Sequence, residues 1–191
     1  MNILSLLNDI SEKNPDKIAF AFRHQKTNEY DEITFRELDR KSSKVAIYLS
    51  NNGFIRGSKV LVLVRPSIDF IILIYGMIKL GAVPIFLPNL DLKSLNGRKE
   101  LRSIVNRAKI DGLIGSRKIL LISYLLRIRN LSNIIIPLNK IKSHFLDKKN
   151  VSEYIFDSDV DWANNSVFVK YTTGSTGPSK GVIYNHAMLH S

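Results

Sequence analysis

The chain has 191 residues, 45% hydrophobic and 24% charged, which is enough length and apolar content for a domain with a real core. Lys and Arg outnumber Asp and Glu by 28 to 17, a formal net charge of +11. The cations form no block of five or six, and aromatics are not interleaved with them as base-stacking platforms, so nucleic acid is not the expected partner. The absence of cysteine excludes disulfides and thiolate-bound metal, and fits a cytoplasmic location.

Residues 3–12 carry an amphipathic helical pattern that Asn14-Pro15-Asp16 should end. Asp9 and Glu12 break the apolar run and no basic segment precedes it, so this start reads as a natural N-terminus and not as a signal peptide. Residues 18–22 and 29–33 predict a small hairpin. Thr34 is placed to cap a helix over 35–51, with Glu37 completing a capping box and Gly53 closing the helix.

A regular alternation follows. Strands are expected at 59–64, 83–87, 112–114 and 133–136, and helices at 67–80, 95–108 and 117–129, with Gly81 behind the first helix and Pro137 behind the last strand. Continuous apolar strands alternating with helices imply an α/β fold, a mostly parallel sheet with helices on both faces. The most apolar stretch, 70–87, is interrupted by Lys79, Gly81 and Pro84, which makes it a buried helix and strand and not a membrane span. The turn after Val64, Arg65-Pro66-Ser67, has no G-x-G-x-x-G, which excludes a dinucleotide site there. Residues 98–129 alternate cations with Leu and Ile at helical spacing, as a solvated helix face does. Residues 139–161 are polar and are expected to form an irregular surface connection, leading to strands at 166–172 and 182–184. The expected organisation of 1–191 is an opening helical and hairpin segment (1–58), βα repeats (59–138), a connection (139–165) and a loop hairpin (166–191).

Between the last two strands stands Y-T-T-G-S-T-G-P-S-K-G-V, residues 171–182. Gly174 and Gly177 let the backbone take positive φ and approach a ligand closely. Successive N–H groups in such a turn form a nest for anions. Thr172, Thr173, Ser175 and Thr176 add hydroxyl donors, and Lys180 adds a compact point charge. Pro178 should stiffen the tip. Together these suit a polyphosphate. The string is not a Walker A loop, because Ser179 stands where that motif needs glycine and Gly181 where it needs Ser or Thr. Without a helix dipole, the nest, hydroxyls and lysine would do the binding.

Other polar residues have plainer readings. His24, His144, His186 and His190 lack metal-ligand spacing. Asp157, Asp159 and Asp161 lack the glycine and glutamate of a calcium loop, and Trp162 is expected to pack near the strand start.

The loop resembles the phosphate-loop signature of adenylate-forming enzymes (acyl-CoA synthetases, peptide-synthetase adenylation domains and luciferases), whose usual form is (Y/F)-T-S-G-S-T-G-x-P-K-G-V. Thr173 replaces a serine and keeps the hydroxyl, and Pro178-Ser179 replaces x-Pro, so the proline sits one place early. Upstream, Ile33-Thr34-Phe35-Arg36-Glu37-Leu38 is similar to the family's L-T-Y-x-E-L segment. Ile78-Lys79-Leu80-Gly81-Ala82-Val83-Pro84 is similar to its L-K-A-G-A-V-x-x-P segment. From Val64-Arg65-Pro66-Ser67 through Pro84 the chain looks like the fatty-acyl branch that contains the olefin β-lactone synthetases, although Leu87-Pro88-Asn89 stands where that branch continues Asp-Pro-Gly. His186 matches a histidine found just past the loop in the family.

The resemblance implies an incomplete N-terminal part of the family's large domain, from a ligase that uses ATP and Mg²⁺ to join a carboxylic acid, here a fatty acyl substrate, to AMP. Phosphate binding falls on Thr172, Thr173, Gly174, Ser175, Thr176, Gly177 and Lys180, with no catalytic or metal-ligating residue assigned. The family's later motifs for adenine, ribose, magnesium and the acyl pocket have no counterpart in the chain, so no activity and no tight ATP or Mg²⁺ binding is expected of it alone. Two alternatives stay open: half of a split enzyme completed by a C-terminal polypeptide, and a non-catalytic basic domain meeting an anionic membrane or an acidic partner.

Overall fold

The computed structural model describes residues 3–23, 28–88, 94–118, 120, 134–147, 166–172 and 179–189. Helix α1 spans Ile3–Lys13 and is followed by the antiparallel pair β1 (Ile18–Arg23) and β2 (Tyr30–Thr34). Helix α2 (Phe35–Asn51) starts on the expected capping box: Glu37 N donates to Thr34 Oγ1 (3.3 Å) and Thr34 N donates to Glu37 Oε2 (3.4 Å). The helix closes at Asn52, and Gly53 takes a positive φ of 91°.

The main sheet follows. Its strands are β3 (Lys59–Leu63), β4 (Val83–Phe86), β5 (Gly112–Gly115), β6 (Ile134–Pro137), β7 (Ser166–Thr172) and β8 (Lys180–Asn185). They lie in the order β6-β5-β3-β4-β7-β8, parallel throughout except for β8, which pairs antiparallel with β7. Helix α3 (Ile68–Leu80) connects β3 to β4, and α4 (Leu95–Ala108) follows β4. Ser67 caps α3 by accepting from Phe70 N, and Gly81 ends it in the left-handed region that a turn back into β4 requires.

Strand alternation divides the core. Val60 and Val62 of β3 and Ile114 of β5 pack with Leu38, Val45 and Leu49 of α2 and Ile72 and Met77 of α3. Leu61, Leu113 and Ile85 face the other way, onto Leu101, Ile104 and Val105 of α4. The sheet is thus covered on both faces, as continuous apolar strands require. Helices α2 and α3 cross closely at Gly76, where a Cβ would lie 2.5 Å from Val45. On α4 the cations Lys99, Arg102 and Arg107 are exposed, as a solvated face predicts.

One element departs from expectation. Residues 139–146, expected to belong to an irregular connection, lie in helix α5 (Leu138–Leu146). Ile141 and Phe145 are buried in the core shared with α2, and Leu138 packs against it. The apolar positions lie one helical turn apart, but the Lys and Asn residues around them hid that short stripe. Strand β8 is also longer than the expected 182–184 segment, because its pairing with β7 runs from Lys180 to Asn185. Of the helix expected over 117–129, Arg117, Lys118 and Leu120 are helical and the rest lies outside the described residues.

Candidate functional site

The connections leaving β3 and β4 set the site. The segment after β3 enters α3 on one face of the sheet, and the segment after β4 enters α4 on the other. Where connections from neighbouring strands diverge, a crevice opens outside their carboxyl ends. Strand β7 runs beside β4, and the glycine- and hydroxyl-rich loop leaves the carboxyl end of β7.

The strands on either side of the loop, β7 and β8, pair antiparallel. Thr172, the last residue of β7, stands opposite Lys180, the first of β8, and Tyr171 stands opposite Gly181. Thr172 and Lys180 are both exposed at the mouth. Tyr171 is 8% exposed and joins the α4 core beneath. A Cβ on Gly181 would lie 3.1 Å from the Tyr171 ring, so a side chain there would crowd the ring. Ser179 is buried, and its hydroxyl donates to the Glu100 carboxylate on α4, which ties the closing end of the loop to the neighbouring helix. Thr173, Gly174, Ser175, Thr176 and Gly177 lie outside the described residues, as does Pro178. The structure therefore brings Thr172 and Lys180 together, and residues 173–178 between them lie outside what it describes.

The Ser179–Glu100 contact escaped the sequence. Its only trace was the displaced proline, which leaves a hydroxyl where the signature has a ring. Lys79, within the second resembling segment, is a structural residue. Its buried ammonium donates to the Asp39 carbonyl (2.9 Å), to Asp39 Oδ1 (2.5 Å) and to Ser43 Oγ (2.8 Å), joining α3 to α2.

His24, His190, Trp162 and the three aspartates at 157, 159 and 161 lie outside the described residues. His144 stacks obliquely on Tyr48 with ring centroids 5.0 Å apart. His186 is buried, and its Nδ1 accepts a long bond (3.5 Å) from the Ile3 amide. Among the described residues no group of three His, Asp or Glu side chains could hold a metal ion. No helix of the described residues is long and apolar enough to cross a membrane.

Two cavities lie away from the loop. One of about 220 Å³ is bordered by Arg56, Lys59, Val83, Ser166 and His186. One of about 400 Å³ is bordered by Gly53, Ile55, Asp111 and Ile134. Their borders hold the first residues of β3, β4, β6 and β7, and Asp111 just ahead of β5, so both open at the amino ends of the strands. The loop is at the opposite end, where open α/β sheets bind ligands.

Known proteins share this sequence pattern and this fold. The family described as AMP-binding enzyme matches residues 7–191. An olefin beta-lactone synthetase from Stenotrophomonas maltophilia is 26% identical over 97% of this chain and 35% of its own length. A medium/long-chain-fatty-acid–CoA/3-oxocholest-4-en-26-oate–CoA ligase from Mycobacterium marinum is 25% identical over 100% of this chain and 35% of its own length. Among solved structures, a Mycobacterium tuberculosis fatty acyl CoA synthetase superposes with a TM-score of 0.76 at 20% identity, covering 100% of this chain and 36% of that one. The chain thus spans about a third of the length of these relatives.

Proposed function

The chain belongs to the AMP-binding enzyme family, and from that premise we propose that it supplies the phosphate-binding part of an ATP-dependent ligase that activates a carboxylic acid of the fatty acyl class. The observation that carries this reading is the hairpin itself. Thr172 and Lys180 face each other across the mouth of a loop whose intervening residues are glycine, serine, threonine and a single proline.

In the reaction a carboxylate oxygen attacks the α-phosphorus of ATP, the bond to the bridging oxygen breaks, and pyrophosphate leaves with the electron pair. Negative charge grows on the leaving group, so fixed donors placed there lower the barrier. The amides and hydroxyls of 173–177 would hold the β- and γ-phosphates, and the Lys180 ammonium would neutralise the departing pyrophosphate. Magnesium, when bound with the nucleotide, supplies further charge neutralisation, and no described residue is assigned to it. The anchor at Ser179 keeps the lysine end of the loop against α4. The fatty acyl class rests on the olefin beta-lactone synthetase and fatty-acid–CoA ligase relatives.

A chain spanning about a third of its relatives carries only part of this machinery, and by itself it is not expected to complete the adenylation. The test has two arms. Pyrophosphate exchange into ATP with a fatty acid should be undetectable for the chain alone, and exchange abolished by Lys180→Ala would show a complete enzyme. Pyrophosphate titration followed by NMR should shift Gly174, Gly177 and Lys180 with a dissociation constant on the order of millimolar. ATP should bind about equally, since no adenine pocket is assigned. No shift in the loop at high concentration would overturn the phosphate-binding reading.

A further inference from the structure

We propose that the cavity at the amino ends of β3, β4 and β7 is a second anion site, binding a small oxyanion, phosphate or carboxylate, among Arg56, Lys59 and His186. The cavity of about 220 Å³ is bordered by these three nitrogen-bearing side chains and by no Asp or Glu. Its volume suits a ligand of a few heavy atoms. The guanidinium offers a planar fork that matches an oxyanion edge, and the ammonium adds a point charge. Among the described residues the Lys59 side chain has no carboxylate partner, since Asp111 beside it accepts from the Lys59 backbone amide (2.7 Å) and not from its ammonium.

The site is built rather than incidental. The aliphatic stem of Arg56 lies against Gly81, where a Cβ would come within 2.8 Å of Arg56 Cγ. Gly81 takes a φ of +75°, and its carbonyl accepts from the Gly57 amide at 2.8 Å, which locks the β3 and β4 approaches side by side. On the opposite wall His186 is 1% exposed. Its Nδ1 accepts from the Ile3 amide at 3.5 Å. One wall thus comes from the segment ahead of β3, another from the segment just past β8, and the α1 terminus fixes the imidazole between them.

This site is separate from the loop. Strand β7 starts with Ser166 at the cavity and ends with Thr172 at the loop. Six residue steps along a strand span about 20 Å. An anion seated here would brace the sheet at the end away from the nucleotide.

The test is NMR titration of the protein with inorganic phosphate in one arm and acetate in the other, reading the His186 ring protons and the Arg56 Nε–H. Saturable shifts are expected at both, with a dissociation constant on the order of millimolar. Tighter phosphate binding identifies a phosphate dianion as the preferred ligand, and tighter acetate binding identifies a carboxylate. Arg56→Gln and Lys59→Gln, both at exposed positions, should each weaken binding roughly tenfold, a loss of about 1.4 kcal/mol. Lys180→Ala should leave these shifts unchanged. Non-saturating shifts, unchanged affinity in either Arg56→Gln or Lys59→Gln, or loss of the shifts in Lys180→Ala would each overturn the site. Because the loop signals are read separately, failure here leaves the phosphate-loop reading standing, and the reverse.

Discussion

Ser179 donates its hydroxyl to the carboxylate of Glu100, 79 positions earlier in the chain and on the helix that covers the far face of the sheet. Two residues that no local pattern connects thereby fix where the loop hairpin closes. The signature this loop resembles has proline at the Ser179 position, so rigidity of the ring is replaced by a hydrogen bond to a neighbouring helix.

That replacement predicts a measurable loss. A shielded hydrogen bond to a charged acceptor contributes about 1.5–3 kcal/mol. Ser179→Ala should lower the unfolding free energy by that amount in urea titration, and Glu100→Gln, which keeps an acceptor, by about half as much. A change below about 0.5 kcal/mol in Ser179→Ala would show that the contact does not hold the loop.

The Lys79 contacts predict an asymmetry between partners. The Lys79 side chain is 5% exposed and that of Asp39 is 32% exposed. Removing the carboxylate strands a buried cation, whereas removing the lysine relieves its desolvation. Asp39→Ala should therefore cost about 3 kcal/mol or more, and Lys79→Met distinctly less. Equal losses in thermal or urea unfolding would contradict this account.

Much of the fold was legible because local signals agreed with the global arrangement. Thr34 and Glu37 spelled out the start of α2, Ser67 and Gly81 bracketed α3, and the Val and Leu run of β3 announced a strand buried on both faces. Helix α5 was missed because two buried residues, Ile141 and Phe145, carry its apolar face among Lys, Asn and Ser. The candidate loop stood out by composition, since Gly, Ser, Thr and Lys in one short loop have few uses. Its supports did not. Glu100 and the Arg56–His186 cavity depend on residues brought together by the sheet, and neither spacing nor periodicity encodes such distances.

The capping box makes part of the stability depend on pH. Burial pushes the Glu37 carboxyl up, but the Lys41 hydrogen bond, the Thr34 backbone amide and the charges of Lys41 and Arg40 together hold it below its ordinary 4.5. A carboxylate lowered on folding stabilises the native state above its unfolded pKa, and that contribution is lost as pH falls through the folded value. Unfolding free energy should thus decline on acidification below about pH 4.5, and Glu37→Gln should flatten part of that decline. At neutral pH Thr34→Ala should cost about 1 kcal/mol. An acid limb unchanged by Glu37→Gln would show that other carboxylates account for it.

Gly112 opens β5 directly beneath Phe54, where a Cβ would lie 2.2 Å from the ring. Phe54 is fully buried, so its ring has little room to retreat. Gly112→Ala should destabilise by about 1–3 kcal/mol through overpacking. Phe54→Leu, which removes the colliding ring atoms, should cost stability alone yet recover part of the loss when combined with Gly112→Ala. Additive losses in the double-mutant cycle would mean that the glycine is required for another reason.

Strand β8 predicts how the chain behaves in solution. It is the last strand of the sheet among the described residues, antiparallel to β7, and its other edge has no described partner. Val182 and Ile183 are 43% and 56% exposed, and Met188 just beyond is 58% exposed. An uncovered strand edge bearing apolar side chains is a template for pairing with another chain. The net charge of +11 opposes association through long-range repulsion, but salt near physiological strength screens such repulsion beyond about 8 Å. The chain alone should therefore self-associate as salt is raised, seen as concentration-dependent sedimentation. Ile183→Lys adds a charge at the edge and should restore monomer at the same salt, whereas Lys99→Ala on the exposed face of α4 should not. A parent chain that stays monomeric in high salt would show that β8 is already covered by its own polypeptide, and an associated chain unaffected by Ile183→Lys would place the contact elsewhere.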